Sequence, residues 1–301
     1  MAKAAGVSRT AVFKHIHALR GMGYQIEASR ARGYLLVPRP DGLLPLEIRM
    51  RTKSTLFTHD VVTIDSLAST QDWLRIKAQS GAAEGAVVVA LEQSSGRGRM
   101  GRGWSSPHGG LWFSLLLRPS LPLKGLPKLT LLFGVVMAEA LGNIGVKAYL
   151  KWPNDVLLEG RKVCGVLMEA SVEPDRVEYV LVGIGINANF MISSLPRETQ
   201  YNSTTLLESL GRPVDRCGLL AQILERAEYW YRYVQREGFS LVIEAWKSRS
   251  STIGQTVTVS SFGSELKGTA VDIDSDGSLV LETDQGRANV YSGDVLLESP
   301  R

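Results

Sequence analysis

Between Gln93 and Trp104 the chain reads Gln-Ser-Ser-Gly-Arg-Gly-Arg-Met-Gly-Arg-Gly-Trp, with three arginines and no acid. Glycines allow positive φ and close backbone approach, so successive N–H groups can converge on an anion. Arg97, Arg99 and Arg102 add permanently charged planar donors suited to phosphate and carboxylate. Three like charges at this spacing repel one another, so the loop is expected to be mobile when empty and ordered around an anionic ligand. Gly96-x-Gly98-x-x-Gly101 also matches the dinucleotide-binding fingerprint. That reading needs a helix directly after the glycines and an acid about 20 residues on. Gly103, Pro107, Gly109 and Gly110 prevent the helix, and Leu116-Leu117-Arg118 stands where the acid belongs. A nucleic-acid-binding Arg-Gly tract is the other rival, but such tracts repeat without fixed flanks. Here a strand candidate precedes the loop and Leu111–Phe113 follows it, which favours a defined pocket.

Two further clusters carry related chemistry. Lys151-Trp-Pro-Asn154-Asp155 sets a cation, an aromatic, a rigid turn, an amide and a carboxylate at a strand end. Lys162-Val-Cys-Gly165-Val-Leu then opens the next strand, with Gly165 leaving room for a ligand against the backbone. Together with the arginine loop they describe a cation-rich site for an anionic substrate and a nucleotide.

The elements that must position these residues read as mixed α and β over residues 46–240. Strands are expected at 86–91, 111–117, 147–151, 162–169 and 177–186, and helices at 69–79, 129–142 and 218–236. In the last helix Leu219, Leu220, Ile223, Ala227, Trp230 and Tyr231 form an apolar core stripe. Short polar connections such as Asn154–Lys162 and Glu173–Arg176 argue for an antiparallel or mixed sheet with helices on one side. Residues 250–301 read as short strands with tight turns (Phe262-Gly263, Asp276-Gly277, Gln285-Gly286, Ser292-Gly293), which fits a small SH3-like β-barrel.

Residues 1–40 have a different character. Residues 2–5 read as a helix end, Gly6 as a turn, and Ser8 as the N-cap of a helix over 9–21 that Gly21 and Gly23 terminate. Val12, Ile16 and Leu19 face a core, leaving Arg9, Thr10, Phe13, Lys14 and His17 on the other side. Tyr24–Ala28 and Gly33–Val37 follow as strands around a basic turn, Ser29-Arg30-Ala31-Arg32. A polar-faced helix and a basic ribbon make a winged helix-turn-helix, whose helix fits a major groove while Arg30 and Arg32 reach phosphate or the minor groove. The helix that opens such folds is expected to be missing, because the chain begins too late to contain it. Pro38, Pro40, Asp41, Gly42 and Pro45 read as a linker.

Composition and charge bound the alternatives. With 301 residues, two or three domains are expected, and 44% hydrophobic with 21% charged residues excludes wholesale disorder. The net charge of +4 is uneven: residues 1–53 hold ten Lys/Arg against three acids, and residues 252–299 hold eight acids against Lys267 and Arg287. The basic segment raises nucleic acid as a partner, and the acidic one does not. The longest apolar run, Leu129–Ala138, reads as a buried helix, no run reaches the roughly 18 residues of a membrane span, and no secretory signal is visible. Cys164 and Cys217 are too few for a disulfide framework or a zinc site and read as reduced thiols. A cytoplasmic protein with no membrane partner is expected.

These motifs resemble the biotin protein ligase family. Gly96–Trp104 matches its Gly-Arg-Gly-Arg-x-Gly-Arg-x-Trp, residues 151–155 its Lys-Trp-Pro-Asn-Asp, and residues 162–167 its Lys-x-x-Gly-[Ile/Val]-Leu. Gly183–Asn187 matches Gly-x-Gly-[Ile/Val]-Asn, and Asp65-Ser-Leu-Ala-Ser69-Thr70-Gln71 is similar to its biotin motif, with Ser66 and Ser69 both eligible and Ser69-Thr70 favoured. The domain order resembles the bifunctional bacterial ligase/repressors. The resemblance implies an α+β fold with a class II synthetase-like central mixed sheet between the winged helix-turn-helix and the SH3-like domain. It implies a biotin–[acetyl-CoA-carboxylase] ligase using biotin, ATP and Mg²⁺. Biotin is activated to biotinyl-5′-AMP and passed to a lysine of a biotin carboxyl carrier domain. It further implies a homodimer that represses biotin genes by binding operator DNA through Ser8, Arg9, Thr10, Phe13, Lys14, His17, Arg30 and Arg32. Lys162 and Arg97 would be catalytic. Ser69, Thr70, Gln71, Gln93, Arg97, Gly98, Arg99, Lys162 and Gly165 would bind biotin. Arg99, Arg102, Trp104, Lys151, Asn154, Asp155 and Asn187 would bind ATP or the adenylate, with Asp155 the candidate metal ligand. A biotin-sensing DNA-binding regulator without catalysis and a lipoate-type ligase are the alternatives.

Overall fold

The computed structural model describes residues 2, 6–21, 24–29, 32–37, 43–174, 176–261 and 263–297. Residues 3–5 of the helix end expected at 2–5, Gly23, Arg30 of the wing, most of the proline linker and Phe262 lie outside them.

Ser8 caps the first helix, α1 (Arg9–Gly21), its hydroxyl accepting from the Ala11 N–H at 3.1 Å. Ile16 is buried, Val12 and Leu19 are half-buried, and Arg9, Thr10, Phe13, Lys14 and His17 are exposed, as the periodicity requires. Strands β1 (Ile26–Ser29) and β2 (Gly33–Leu36) form an antiparallel ribbon. Arg20 ties it to α1 by donating to the Ile26 carbonyl at 3.0 Å.

Helix α2 (Pro45–Arg51) leads into the central unit of β3 (Val61–Leu67), α3 (Thr70–Gln79), β4 (Val87–Gln93), β5 (Leu111–Leu117), α4 (Leu126–Asn143), β6 (Tyr149–Lys151), β7 (Asp155–Leu158), β8 (Arg161–Val172) and β9 (Val177–Ile186). Then come α5 (Arg197–Gln200), α6 (Leu206–Leu210), α7 (Arg216–Glu237) and α8 (Ser240–Lys247). The seven strands form one mixed sheet in the order β3-β4-β5-β9-β8-β7-β6. Only β3 and β4 run parallel, and α3 crosses between them, since parallel neighbours need a crossover.

Alternation decides the two faces. Val87, Val89, Leu111, Phe113, Leu115, Val180, Val182 and Ile184 join α4 and α7 in the main core, and Val88, Leu116 and Leu181 point oppositely to Leu74 and Ala78 of α3. Helices therefore cover both faces, correcting the one-sided expectation, because β4, β5 and β9 are apolar on alternate residues in both directions. Strand β7 was also missed: Val156-Leu157-Leu158 is apolar but too short to register between polar neighbours.

Helix α4 lies between the sheet, α7 and α8, which explains why it is apolar all round. The helical stretch Leu123–Asn143 is longer and more apolar than the sequence reading allowed, enough by length to cross a membrane, and its surface is mostly buried in this core. The C-terminal strands β10 (Thr256–Ser261), β11 (Ser264–Ile273), β12 (Leu279–Thr283), β13 (Gly286–Val290) and β14 (Asp294–Leu297) form an antiparallel sheet ordered β13-β12-β11-β10-β14. Its Val257, Val259, Ile273 and Leu281 continue the main core, and Trp152 donates its indole N–H to the Gly277 carbonyl at 3.2 Å.

Candidate functional site

A cavity of about 310 Å³ opens where the ends of β4, β6, β8 and β9 meet the start of α3, the arginine loop and β14. Ser69 begins α3 as its N-cap, the hydroxyl accepting from the Asp72 N–H at 3.4 Å. The Thr70 N–H and hydroxyl both donate to Gln93 Oε1, at 2.8 and 3.0 Å. Ser114 Oγ donates to Thr70 Oγ1 at 2.8 Å, and Gln93 Nε2 donates to Ser106 Oγ at 2.8 Å. One hydrogen-bond chain thus fixes Thr70 and Gln93 at the bottom of the cavity. Ser66 is exposed on β3 and Ser69 is buried in the cavity wall, which separates the two eligible serines. Gln71 donates to the Leu167 carbonyl at 3.1 Å and lies over Gly183, where a Cβ would come within 2.7 Å of its amide carbon.

The arginine loop is a closed hairpin: the Trp104 N–H donates to the Gly96 carbonyl at 2.8 Å, and the Gly98 N–H to the Arg102 carbonyl at 2.7 Å. Only a single 3-10 turn, Arg99–Gly101, lies in the loop and the next element is β5, so no α-helix follows the glycines and the dinucleotide reading fails in the fold as in the sequence. A Cβ on Gly96 would lie 2.4 Å from the Trp104 carbonyl oxygen, so the closure requires glycine there. The arginines do not face one another unpaired. Arg97 reaches Asp72 at 2.8 Å, Arg99 donates to Asn154 Oδ1 at 3.2 Å and the Gly293 carbonyl at 3.1 Å, and Arg102 meets Asp294 at 2.5 Å. The repulsion from which mobility was expected is offset by acids distant in sequence.

Lys151 ends β6 opposite Asp155 of β7, with Trp152-Pro153-Asn154 turning between them. Asn154 is pinned to β8, its amide donating to the Val166 carbonyl at 2.8 Å. Asp155 Oδ1 is 2.6 Å from Lys162 Nζ, and that ammonium sits 4.9 Å from the centre of the Trp104 ring. The indole rests on bare backbone: a Cβ on Gly165 would lie 3.1 Å from it, and one on Gly185 2.5 Å. Its buried Nε1–H has no partner among the described residues. Asn187 is buried and donates to the Thr204 carbonyl at 3.1 Å, joining the cavity to the segment before α6.

The cavity is strongly cationic. Burial lowers the Lys151 pKa, opposed by Asp155 and Asp294, and burial likewise lowers that of Arg99. An entering anion restores what burial takes from these charges, so both favour anionic ligands. Burial also works against Arg75, but hydrogen bonds and charge from Asp72 and Glu169 outweigh it and raise its pKa. No cluster of three or more His, Cys, Asp or Glu occurs among the described residues. Among the described residues, Asp155 and Asp294 are the carboxylates that line the site. That sparse set suits Mg²⁺ carried in on a nucleotide's phosphates, which needs only one or two protein carboxylates.

All fifteen cavity residues read from the sequence line this one space: Ser69, Thr70, Gln71, Gln93, Arg97, Gly98, Arg99, Arg102, Trp104, Lys151, Asn154, Asp155, Lys162, Gly165 and Asn187. The sequence reading missed Asp294, Thr199 and Ser203 in the wall and the acids Asp72 and Glu169 behind Arg97. Asp72 could have been found as a helix-start acid; nothing distinguishes Asp294, more than a hundred residues from every motif.

Residues 64–187 match the biotin/lipoate A/B protein ligase family, residues 252–297 the biotin protein ligase C-terminal domain, and residues 1–35 an HTH domain. The bifunctional ligase/repressor BirA of Bacillus subtilis is 40% identical, over 98% of this chain and 91% of its own length. The chain belongs to the biotin protein ligase family. Escherichia coli BirA, also named a bifunctional ligase/repressor, is 30% identical over 98% of this chain and 90% of its own. The solved biotin protein ligase from Aquifex aeolicus in complex with biotin and ATP superposes with a TM-score of 0.70 at 31% identity, covering 80% of this chain and all of that one.

Proposed function

We propose that this chain is a biotin–[acetyl-CoA-carboxylase] ligase that joins biotin to ATP as biotinyl-5′-AMP, releases pyrophosphate, and transfers the biotinyl group to a lysine of a carrier domain. The observation that carries this reading is the convergence of Lys151, Lys162, Arg97, Arg99 and Arg102 on one cavity that has fixed hydrogen-bonding groups at one end and a glycine-seated indole at the other.

The chemistry follows from the charges. Biotin's carboxylate attacks the α-phosphorus and pyrophosphate leaves. A carboxylate is already deprotonated, so catalysis reduces to holding two anions together and stabilising the added charge. Lys162 bridges the biotin carboxylate and the α-phosphate. Ser69, Thr70, Gln71, Gln93 and Gly165, with the backbone of Arg97, Gly98 and Arg99, hold the biotin head. Trp104 and Asn187 line the adenine side, with Arg99, Arg102 and Lys151 towards phosphate. Mg²⁺ would neutralise phosphate charge, with Asp155 as the residue that would hold it and Asn154 beside it near the metal or the ribose. Arg97 closes over the adenylate until a carrier lysine displaces AMP.

The helix-turn-helix gives a second activity, in keeping with the ligase/repressor relatives. The exposed face of α1 is a major-groove reader for operator DNA, with exposed Arg32 of the wing as a further contact, used by a homodimer. Division into units at 1–40, 46–240 and 250–301 goes with this reading. The last two share one core, so their boundary is a change of role rather than a gap in packing. A cytoplasmic location accompanies a substrate pair of ATP and carrier protein. The test is biotin-dependent exchange of labelled pyrophosphate into ATP with Mg²⁺, with lipoate in parallel. Exchange with biotin alone is expected. Exchange only with lipoate would move the substrate class, and binding of biotin without exchange would leave a sensor.

A further inference from the structure

The turn from Lys151 to Asp155 carries a cation, an amide and a carboxylate into the cavity, and its outer side is held by a distant segment that lines no part of that cavity. Strand β6 ends the central sheet and pairs there with β7 alone. Its other edge meets residues 249–252, the stretch between α8 and β10. The Leu150 N–H donates to the Arg249 carbonyl at 2.8 Å, and the Ser251 N–H donates to the Leu150 carbonyl at 2.8 Å, as in a parallel ladder. The next outward donor, the Trp152 N–H, goes to a side chain instead: Thr252 Oγ1 accepts it at 3.0 Å.

Thr252 is 0% exposed, so water does not replace its hydroxyl when that hydroxyl is lost. The N–H it holds belongs to the rigid peptide plane between Lys151 and Trp152, and fixing that plane fixes the backbone from which Lys151 projects. The buried Trp152 indole is held as well, donating from Nε1 to the Gly277 carbonyl at 3.2 Å. Gly277 lies in a turn that α4 fastens through Lys128, whose ammonium donates to the Ser275 carbonyl at 3.1 Å and lies 3.7 Å from Asp276. On this clamped backbone Lys151 lines the cavity, where its charge interacts with those of Asp155, Lys162, Asp294 and Arg102.

Resting on the ligase reading above, we propose that Thr252 is a positioning residue for Lys151: its buried hydroxyl aims the lysine at the nucleotide's phosphates and so serves ATP binding without serving biotin. The biotin end is built separately. Thr70, Gln93, Ser106 and Ser114 hold one another in a hydrogen-bond chain with no member from residues 249–252. A lysine that holds phosphate equally before and during the reaction changes KM and leaves kcat alone.

The test measures adenylate formation by the full chain with biotin, ATP and Mg²⁺. Thr252→Val keeps the shape of the side chain and removes the acceptor. It is expected to raise the KM for ATP about threefold to tenfold, the scale of one buried hydrogen bond, with kcat and the KM for biotin within twofold. Thr252→Ala removes the same acceptor with less bulk and is expected to behave alike. Thr252→Ser restores the hydroxyl and is expected to bring the KM for ATP back to within twofold of wild type. In a Lys151→Ala background Thr252→Val is expected to add less than twofold, because the group it aims is gone. Thermal unfolding checks that each variant is folded. A wild-type KM for ATP in folded Thr252→Val or Thr252→Ala would overturn the proposal. So would an equal rise in the KM for biotin, no rescue by Thr252→Ser, or multiplicative losses in the double variant. Wild-type protein that makes no adenylate with biotin overturns the ligase reading instead, so the two failures are distinguishable.

Discussion

Replacing Lys162 with alanine tests the charge argument most directly. Its ammonium lies 2.6 Å from Asp155 Oδ1 and 4.9 Å from the centre of the Trp104 ring, so it is aimed by an acid on one side and an indole on the other. A charge-assisted hydrogen bond made at the transition state is worth about 1.5–3 kcal/mol. At about 1.4 kcal/mol per tenfold, its loss slows adenylate formation roughly 10–200-fold. A second effect pushes towards the upper end. Without Lys162, Asp155 loses its close cation and faces an incoming triphosphate. Two like unit charges about 4 Å apart repel by about 4 kcal/mol at an effective dielectric of 20, before solvent and Mg²⁺ reduce it. Removing the acid as well relieves that repulsion, so Lys162→Ala/Asp155→Ala should be less impaired than the product of the single variants. The assay is single-turnover formation of adenylate, with circular dichroism to confirm folding. A Lys162→Ala rate within twofold of wild type, or strictly multiplicative losses in the double variant, would refute the reasoning.

Three further outcomes are expected. Glu228 on α7 accepts from Ser54 Oγ, the Thr55 and Leu56 N–H groups and Arg232, and although burial opposes its charge these bonds hold its pKa at about 2. Its folded pKa is depressed, so the associated stability, about 3 kcal/mol, is present above the unfolded carboxyl pKa and lost as pH falls towards 2. Urea unfolding should show Glu228→Gln much less stable than wild type at pH 7, with the gap closing between about pH 4.5 and 2; a gap unchanged with pH would contradict this. Gly185→Ala places a Cβ 2.5 Å from Trp104 Nε1. Displacing the indole should lower stability by about 1–3 kcal/mol and raise the KM for ATP more than that for biotin, and equal KM values would show that Trp104 does not serve the nucleotide. Lys14→Ala should weaken adenylate-dependent binding to DNA from upstream of biotin-synthesis genes equally across sequences, and lower the salt slope by about 1; an unchanged slope would remove Lys14 from phosphate contact.

Much of the site was legible because its residues come in short, chemically dense runs. Arginines among glycines, a lysine before a turn with an amide and a carboxylate, and a lysine three residues before a glycine carry their chemistry in local spacing. The apolar runs of β4 and β5, the Ser8 cap, and the periodicity of α1 and α7 are local as well, and each element formed where those signals placed it. Only tertiary structure could supply the rest, because like charges need partners that spacing does not name. Asp294 reaches Arg102 from β14 and Glu169 reaches Arg97 from β8, and neither differs in sequence from an ordinary surface acid. The tertiary structure buries Ser69 and exposes Ser66, and the coverage of both sheet faces follows from which neighbours β4, β5 and β9 acquired. Residue type and local period determine which groups exist and which way they point along a strand or helix. Which charges neutralise one another, and which glycines must stay bare so that an indole can lie on them, is decided when the chain brings distant segments within hydrogen-bond reach.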